Sequence, residues 1–187
     1  MPAPEKTTLD AIITAGRELI ELGGLDALTM QAVADHVGVR APSLYKRVRD
    51  RRGLLDLVIG ATLDDLAVRL AESSHEPEPR SRIVVQANAL REFAHEHPVG
   101  FRLVFGASGE PRPEMASTRS SITPVLDAVT ELVGEEHALD AARLVTAWAN
   151  GFITMELGGS LRMGGDVDRA WQWGLDRIVG ALAAPAN

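Results

Sequence analysis

The chain has 187 residues, contains no cysteine and carries a formal net charge of −7. This length is enough for one or two domains with a buried core, and a hydrophobic content of 45% excludes a disordered chain. The lack of cysteine excludes disulfides, thiolate zinc sites and cysteine nucleophiles. The negative charge, taken alone, argues against nucleic acid as a partner, because phosphate attracts positive charge.

The first two predicted helices begin at threonines and end at glycines. Thr7 or Thr8 can cap a first helix, whose apolar residues repeat at three- to four-residue spacing up to Gly23–Gly24. Thr29 can cap a second helix, which Gly38 ends after two turns. Each of these segments therefore has one apolar stripe and a defined beginning and end.

A third helix and a longer fourth helix follow. Pro42 fits the first turn of the third helix, where no amide hydrogen is needed, and Leu44 and Val48 lie four residues apart on its apolar face. Asp50 can cap the fourth helix, which carries an apolar stripe from Leu54 to Leu70. The spacing predicts that Leu44 and Val48 are core residues.

Positive charge is concentrated in one part of this acidic chain. Residues 1–55 carry a net charge of +1 and residues 56–187 a net charge of −8, yet the segment from Arg40 to Arg52 carries +5, with Asp50 its only acid. An isolated basic run is most often a solvated helix face. This one lies in and just after the helix-turn-helix pattern of residues 29–48, on a helix that fits the major groove of DNA. We therefore favour DNA binding.

The rest of the chain is also predicted to be helical, without strand alternation or an internal repeat. Polar loops that contain proline are expected at residues 73–81 and 106–113. Helical or short apolar segments are expected at residues 83–97, 99–105, 117–133 (broken or kinked near Pro124), 138–161 (ended by Gly164–Gly165) and 166–182. These elements predict an all-α fold of about nine helices, with one helical body behind a DNA-reading head.

Two groups of residues resemble a known family. The segment LTMQAVADHVGVRAPSLYKRVRDRRGLL, which includes the run Ala41–Tyr45, resembles the TetR family of bacterial transcriptional regulators over about residues 8–60, and within it the tetracycline repressor subgroup. Phe93–Pro98 and Ala147–Phe152 are similar to a C-terminal subtype of that family that is written Trp-x-x-His-Gly. Asn150 stands before Gly151 in the place of its histidine, with one residue instead of two between it and Trp148, so the imidazole of that pattern is missing here.

The resemblance implies a ligand-responsive transcriptional repressor. Members of the family are homodimers that place two recognition helices in successive major grooves of a palindromic operator, and a ligand in the C-terminal domain moves the heads apart and releases the DNA. In this chain, residues 1–52 would form the helix-turn-helix DNA-binding domain, and residues 53–187 the helical effector-binding and dimerisation domain.

The resemblance also implies nine DNA contacts in the head. Base edges are expected to be read by Gln31, Ala41, Pro42, Ser43 and Lys46, and phosphates to be bound by Thr29, Tyr45, Arg47 and Arg51. An alternative for Tyr45 is a packing role between the first and third helices. Arg40, Arg49 and Arg52 are expected to add to the positive field.

The C-terminal part offers candidates for an effector pocket and for a dimer interface, although most of the aromatic residues fit a plain core equally well. The pocket candidates are Phe93, Phe101, Phe105, Met115, Trp148, Phe152 and Met155. The interface candidates are Gly151, Gly158, Trp171, Leu175, Ile178 and Leu182. The net charge of −8 favours a small apolar or cationic effector over an acidic one.

No cofactor, metal site or membrane contact is expected. His95 and His97 are two residues apart and project to different sides of a helix, so a helix end before Pro98 explains them better than a metal site. No apolar run approaches the roughly 18 residues of a membrane helix, and the first residues lack the apolar core of a signal peptide, so we expect a cytoplasmic protein.

Two alternatives to a ligand-responsive repressor stay open. One is a DNA-binding regulator that is controlled by a protein partner. The other is a small all-α enzyme, for which the sequence shows no Ser-His-Asp spacing, no glycine-rich phosphate loop and no HExxH pair.

Overall fold

The structure is a computed structural model that describes residues 8–106 and 115–184. Within these ranges it contains nine α-helices and no strand, which confirms the predicted all-α fold with an N-terminal helix-turn-helix. The helices are α1 (Leu9–Gly23), α2 (Met30–Val37), α3 (Ala41–Leu44), α4 (Arg51–Glu72), α5 (Pro79–Glu96), α6 (Pro98–Phe105), α7 (Met115–Val133), α8 (Glu135–Leu157) and α9 (Val167–Leu182). In the described part of the chain, no helix is long and apolar enough to span a membrane.

Side-chain caps set the beginnings of three helices in the N-terminal region, as predicted. Thr8, Thr29 and Asp50 each accept a hydrogen bond from the backbone N–H three residues later, at 3.1, 3.0 and 2.8 Å respectively. These bonds satisfy N–H groups that have no partner within the helix. The cap positions are predictable because each bond joins residues that are close in sequence.

The chain divides into two compact units. The first unit contains α1, α2, α3, the part of α4 up to Leu63, and α6; the second contains α4 from Asp64 onward, with α5, α7, α8 and α9. The domain boundary after residue 52 stays a prediction.

The first unit is built on side chains from α1 to α4 that are almost completely buried. They include Ile12, Ile20, Leu28, Val33, Leu44, Val48, Leu54, Leu55 and Val58. Leu103 of α6 packs into the same core. The carboxylate of Glu21 in α1 accepts hydrogen bonds from the N–H groups of Val99 and Gly100, at 3.0 and 2.7 Å, and so ties the beginning of α6 to this unit.

The core of the second unit centres on Trp171 of α9, which is fully buried. Its ring stacks on that of Trp148 in α8, with 4.9 Å between the centroids, and its Nε1 donates a hydrogen bond to Asn88 in α5 at 2.7 Å. The guanidinium of Arg91 lies 5.3 Å from the centroid of the Trp171 ring. Three helices therefore meet at one indole.

The predicted boundaries of α5 and α8 in the second unit are wrong, and α8 also begins at Glu135 rather than at residue 138. Helix α5 begins at Pro79, inside the predicted loop 73–81, because the Glu78 carboxylate accepts hydrogen bonds from the next N–H groups and caps the helix. Helix α8 ends at Leu157 and not at residue 161, because Gly158–Gly159 form its end in place of Gly164–Gly165. The N–H of Ser160 then closes this end by donating to the carbonyl of Met155 at 2.8 Å.

The predicted loop before α7 and the predicted break near Pro124 have different outcomes. The loop predicted at residues 106–113 lies outside the described residues from 107 onward. Helix α7 continues through Pro124, so it is not broken there. The Nε2 of Gln86 in α5 donates to the carbonyl of Pro124 at 3.1 Å and so joins the two helices at this position.

Candidate nucleic-acid interface

The turn between α2 and α3 sets the path of the helix-turn-helix. Gly38 ends α2 with φ 77° and ψ 35°, a left-handed conformation that glycine adopts at little cost. The N–H of Val39 donates to the carbonyl of Ala34 at 2.9 Å and closes the turn. Because Val33 and Ala34 are fully buried, this turn is anchored directly on the core of the first unit.

Helix α3 is shorter than predicted, but the helical turn continues beyond it. The N–H groups of Arg47 and Val48 both donate to the carbonyl of Leu44, at 2.8 Å. Leu44 and Val48 are buried, as predicted. The three residues between them are exposed, and Tyr45 is 55% exposed, which argues against its alternative role as a packing residue. The segment therefore presents a tyrosine and two cations to solvent.

The other predicted base-reading residues lie on α2 and α3 of the first unit. Pro42 and Gln31 are exposed, and Ala41 and Ser43 are half-buried. Gln31 already donates a hydrogen bond from Nε2 to the carboxylate of Asp35, at 2.8 Å. The second hydrogen on Nε2 and the carbonyl oxygen can still pair with a base.

Thr29 is exposed at the beginning of α2 and can serve two roles at once. Its hydroxyl oxygen accepts the capping bond from Ala32. The same hydroxyl carries a hydrogen that it can donate to a phosphate oxygen. The predicted phosphate contact is thus compatible with the cap.

Arg51 makes contacts that the sequence does not predict. Its Nε donates to the carbonyl of Leu28 and its Nη2 to the carbonyl of Leu25, each at 2.7 Å. Two of its donor groups are therefore directed at the protein backbone rather than outward. Such a contact joins residues more than twenty positions apart, and no periodicity or spacing signals it.

The one acidic side chain in the basic segment is engaged locally. Asp50 accepts from the N–H of Gly53, and its other oxygen lies 2.9 Å from Nε of Arg49. The backbone hydrogen bond from Gly53, followed by the bond from Arg49, lowers the pKa of the Asp50 carboxyl. Asp50 therefore stays ionised and offsets Arg49, whereas Arg40, Lys46 and Arg52 are exposed and contribute to the positive field.

An open depression of about 560 Å³ lies in the second unit. It is lined by Trp148 and Phe152 of α8, by Gly164, Gly165 and Asp166 before α9, and by Arg169, Ala170, Trp173 and Gly174 of α9. Its volume is within the range of small-molecule sites. Two of the predicted pocket residues, Trp148 and Phe152, are thus brought together.

The other predicted pocket residues do not line this depression. Phe93 is buried in the second unit and Phe101 in the first, where its ring lies 4.9 Å from that of Phe105. Met155 is half exposed on α8, and the side chain of Met115 lies outside the described residues. Trp173, which sequence reasoning missed, is 63% exposed at the rim. The signal was its position two residues after Trp171, which points the two indoles to different sides of α9.

The predicted interface residues also separate into two groups. Trp171 and Leu175 are fully buried within the second unit, where they pack inside their own chain and expose no side-chain area. Burial on this side follows from the apolar stripe of α9 packing within its own chain. The other four keep exposed or partly exposed surface: Gly151, Gly158, Ile178 and Leu182.

Two family models match the chain. Residues 12–58 match the model described as bacterial regulatory proteins, tetR family, and residues 83–178 match the model described as tetracyclin repressor-like, C-terminal domain. The more specific C-terminal subtype stays a prediction.

Individual relatives and solved structures agree with these matches. An uncharacterised HTH-type transcriptional regulator of Mycobacterium tuberculosis is 27% identical over 161 residues, which cover 83% of this chain and 73% of that protein. A protein of unknown function from Rhodococcus sp. RHA1 has a TM-score of 0.84 at 25% identity, over 98% of this chain and 100% of that one. A variant of TetR from Acinetobacter baumannii AYE, in complex with minocycline, has the same fold, with a TM-score of 0.69 at 24% identity over 94% and 96% of the two chains.

Proposed function

Because the chain belongs to the tetR family of bacterial regulatory proteins, we propose that it is a repressor that binds a palindromic operator as a homodimer and leaves it when a small-molecule effector binds. Its relatives are regulators of transcription, so the chain is a transcriptional regulator and not an enzyme. The repressor role, the operator, the dimer and the effector are the proposal.

The observation that carries the proposal is the exposed segment Tyr45–Arg47 between two buried anchors. Leu44 and Val48 fix the segment to the core, so the backbone that carries the exposed side chains has a defined position. Lys46 is proposed to read a base edge, and Tyr45 and Arg47 to bind phosphates. The remaining proposed contacts are Thr29, Gln31, Ala41, Pro42 and Ser43.

Selection of bound duplexes from a randomised pool tests DNA binding directly. We expect a palindromic sequence to be enriched, and its affinity to fall as salt rises, because phosphate binding releases counterions. The variant Arg47→Ala should bind more weakly to all duplexes, whereas Arg143→Ala, at an exposed position of α8, should bind like the wild type. Failure to enrich any sequence would contradict the proposal.

A matching pattern of exposed residues on α8 and α9 supports the homodimer. On α8 the exposed positions Leu144, Ala147, Gly151 and Met155 recur at spacings of three and four, and on α9 so do Ala170, Trp173, Arg177 and Ala181. Residues at such spacings share one face of a helix. We call these eight positions the α8–α9 face. A second copy that covers it would bury the exposed Leu144, Met155 and Trp173.

The depression at Trp148 and Phe152 supports a small-molecule effector. Its aromatic lining suits a flat apolar molecule or an apolar cation. Because Ala170 and Trp173 belong both to its rim and to the α8–α9 face, a bound effector would touch the proposed interface and so alter the geometry of the dimer. This contact offers a route from effector binding to release of DNA.

Thermal denaturation in the presence of neutral and cationic aromatic compounds tests the effector site. A compound that binds should raise the unfolding temperature of the wild type and weaken its binding to the selected duplex. Phe152→Asp should abolish both effects. A compound that still stabilises this variant and still releases its DNA would place the effector elsewhere.

A further inference from the structure

The beginning of α4 carries a cation where helix electrostatics disfavours one. Arg51 is the first residue of α4, and the positive end of the helix dipole lies at this terminus. Its guanidinium compensates by donating hydrogen bonds to two carbonyl oxygens, those of Leu25 and Leu28, at 2.7 Å each. Although the Arg51 residue is exposed, two short bonds from a charged donor hold its guanidinium in a defined arrangement.

The bonded carbonyls belong to the segment that leads into α2. The carbonyl of Leu28 shares a peptide group with the N–H of Thr29, and that N–H donates to the carbonyl of Ala27 at 2.9 Å. Arg51 therefore holds one side of this peptide group and Ala27 holds the other. The orientation of this peptide fixes where α2 begins, and hence where Thr29 and Gln31 are presented.

The pair of bonds depends on the shape of arginine. Its planar guanidinium presents several N–H groups in a fixed fork, so one side chain can reach two carbonyls simultaneously. A lysine at this position would keep the positive charge but offers a single ammonium on a flexible stem. We call the paired hydrogen bonds to Leu25 and Leu28 the clamp. Substitution by lysine therefore separates the effect of the positive charge from the effect of the clamp.

We propose that Arg51 is a positioning residue for DNA recognition, which holds the beginning of α2 through Leu25 and Leu28 and so orients Thr29 and Gln31 toward the duplex. This inference rests on the proposed DNA binding and assigns Arg51 a role other than a phosphate contact. Its effect on affinity comes through the backbone that it holds.

The test compares Arg51→Gln and Arg51→Lys with the wild type, on the duplex that the wild type selects. Arg52→Gln is the matched control, because it removes one charge from the next residue, which is exposed. Affinity is measured at several salt concentrations, at a temperature where circular dichroism shows each protein to be folded. We expect both Arg51 variants to bind about tenfold more weakly than the wild type, the loss typical of hydrogen bonds from a charged group.

The salt dependence distinguishes a clamp from a phosphate contact. If Arg51 acts as a clamp, Arg51→Gln and Arg51→Lys both bind more weakly than the wild type. The slope of log affinity against log salt then stays the same as in the wild type. A phosphate contact predicts that Arg51→Lys binds like the wild type and that Arg51→Gln lowers the slope by about 0.9, which would overturn the proposal. Wild-type affinity in both variants would overturn it too.

Coupling to Thr29 excludes a purely structural role. If Arg51 acts through the beginning of α2, the losses from Arg51→Gln and Thr29→Ala should combine to less than their product in the double variant. Amide exchange should also accelerate at Thr29 and Ala32 while the core of α4 keeps its protection. The proposal is overturned if the two affinity losses multiply in the double variant. It is also overturned if both Arg51 variants are unfolded at every usable temperature. If the wild type selects no duplex, the proposed function itself fails.

Discussion

Glu156 of α8 belongs to an ion-pair network in which Arg91 of α5 joins three helices of the second unit. Its carboxylate accepts from Nε of Arg91 at 2.9 Å and lies 3.3 Å from Nε2 of His95. Arg91 also reaches Asp168, at 2.6 Å. The hydrogen bond from Arg91 lowers the pKa of the Glu156 carboxyl, against the opposing effect of desolvation. The side chain is only 14% exposed, so solvent screens this interaction weakly.

Glu156 should therefore make the stability of the protein depend on pH. Because its pKa is lower in the folded than in the unfolded state, its contribution is complete at neutral pH and is lost as the pH falls below the ordinary carboxyl range. We expect Glu156→Gln to lower the free energy of unfolding at neutral pH by about 1–3 kcal/mol and to flatten its acid dependence. Urea unfolding at a series of pH values measures both. The exposed Glu136→Gln is the control, and an equal effect there would refute the assignment.

Lys46 carries a second prediction for a single residue. It is exposed on the turn that follows α3, and a lysine can donate to the acceptors of guanine in the major groove. Lys46→Ala should relax the base preference at one position of each operator half-site, at a cost of about 1–3 kcal/mol against the preferred base. Duplex selection with the variant reads this out. Arg49→Ala, which loses a cation paired with Asp50, should keep the wild-type preference.

Individual residues also show which contacts a sequence can predict. The caps at Thr8, Thr29 and Asp50 were predictable because each bond spans three residues and requires a particular side-chain oxygen. The bonds of Arg51 to Leu25 and Leu28 were not, because they depend on how α4 packs against a distant turn. A resemblance assigns such a residue a role without showing what it touches.

At the scale of elements, α1 and α4 pack closely at a glycine. A Cβ at Gly16 would lie 2.8 Å from Cγ2 of Val58, which is closer than real Cβ contacts. The branched side chain of Val58 has little freedom to move away. The glycine is therefore a requirement of the packing between these two helices.

We expect Gly16→Ala to destabilise the first unit by about 1–3 kcal/mol, the usual cost of overpacking. The matched control is Gly60→Ala in α4, where an added Cβ would meet nothing within 4 Å. That substitution should stabilise the protein by up to about 1 kcal/mol, because alanine favours the helix. Urea unfolding of both variants measures the contrast, and similar stabilities would contradict the packing argument.

The helices were predictable as elements, but some of their ends were not. Hydrophobic periodicity located α1, α2 and α4 correctly because each packs one apolar stripe onto a core. The beginning of α5 was missed because a segment of glutamates and prolines is typical of a loop, although Glu78 and Pro79 are also good first-turn residues. With two glycine pairs after α8, spacing could not decide which one ends the helix.

At the scale of the whole molecule, the α8–α9 face predicts the oligomeric state. Leu144, 50% exposed, lies within that face, and a charge there would be buried on association. Leu144→Glu should convert a dimer into a monomer at micromolar concentration and weaken binding to a palindromic duplex more than to a half-site. Sedimentation gives the mass. Leu22→Glu, at an 84% exposed site on α1, should leave the mass unchanged, and a wild type that sediments as one chain would refute the dimer.

Among the properties of the whole molecule, net charge was the least reliable indication of a nucleic-acid partner. The value of −7 argued against nucleic acid, whereas the local charge of the segment Arg40–Arg52 favoured it. Binding depends on the field at the contact surface, and screening in salt separates that surface from distant charges. The helix-turn-helix was therefore predictable from local pattern, whereas its DNA contacts are implied by the resemblance and stay predictions. The depression at Trp148 was only partly so, because an apolar lining and an apolar core have the same composition.

The two kinds of intrinsic chromophore, tyrosine and tryptophan, lie in different units of the chain. Its single tyrosine, Tyr45, follows α3 in the proposed DNA-binding surface, and its three tryptophans all belong to α8 and α9. Trp148 and Trp173 border the depression, where a bound molecule would change their surroundings. Absorption by the three tryptophans therefore reports on the second unit, and absorption by Tyr45 reports on the helix-turn-helix. A single unlabelled sample carries a separate intrinsic fluorophore for each of its two proposed equilibria.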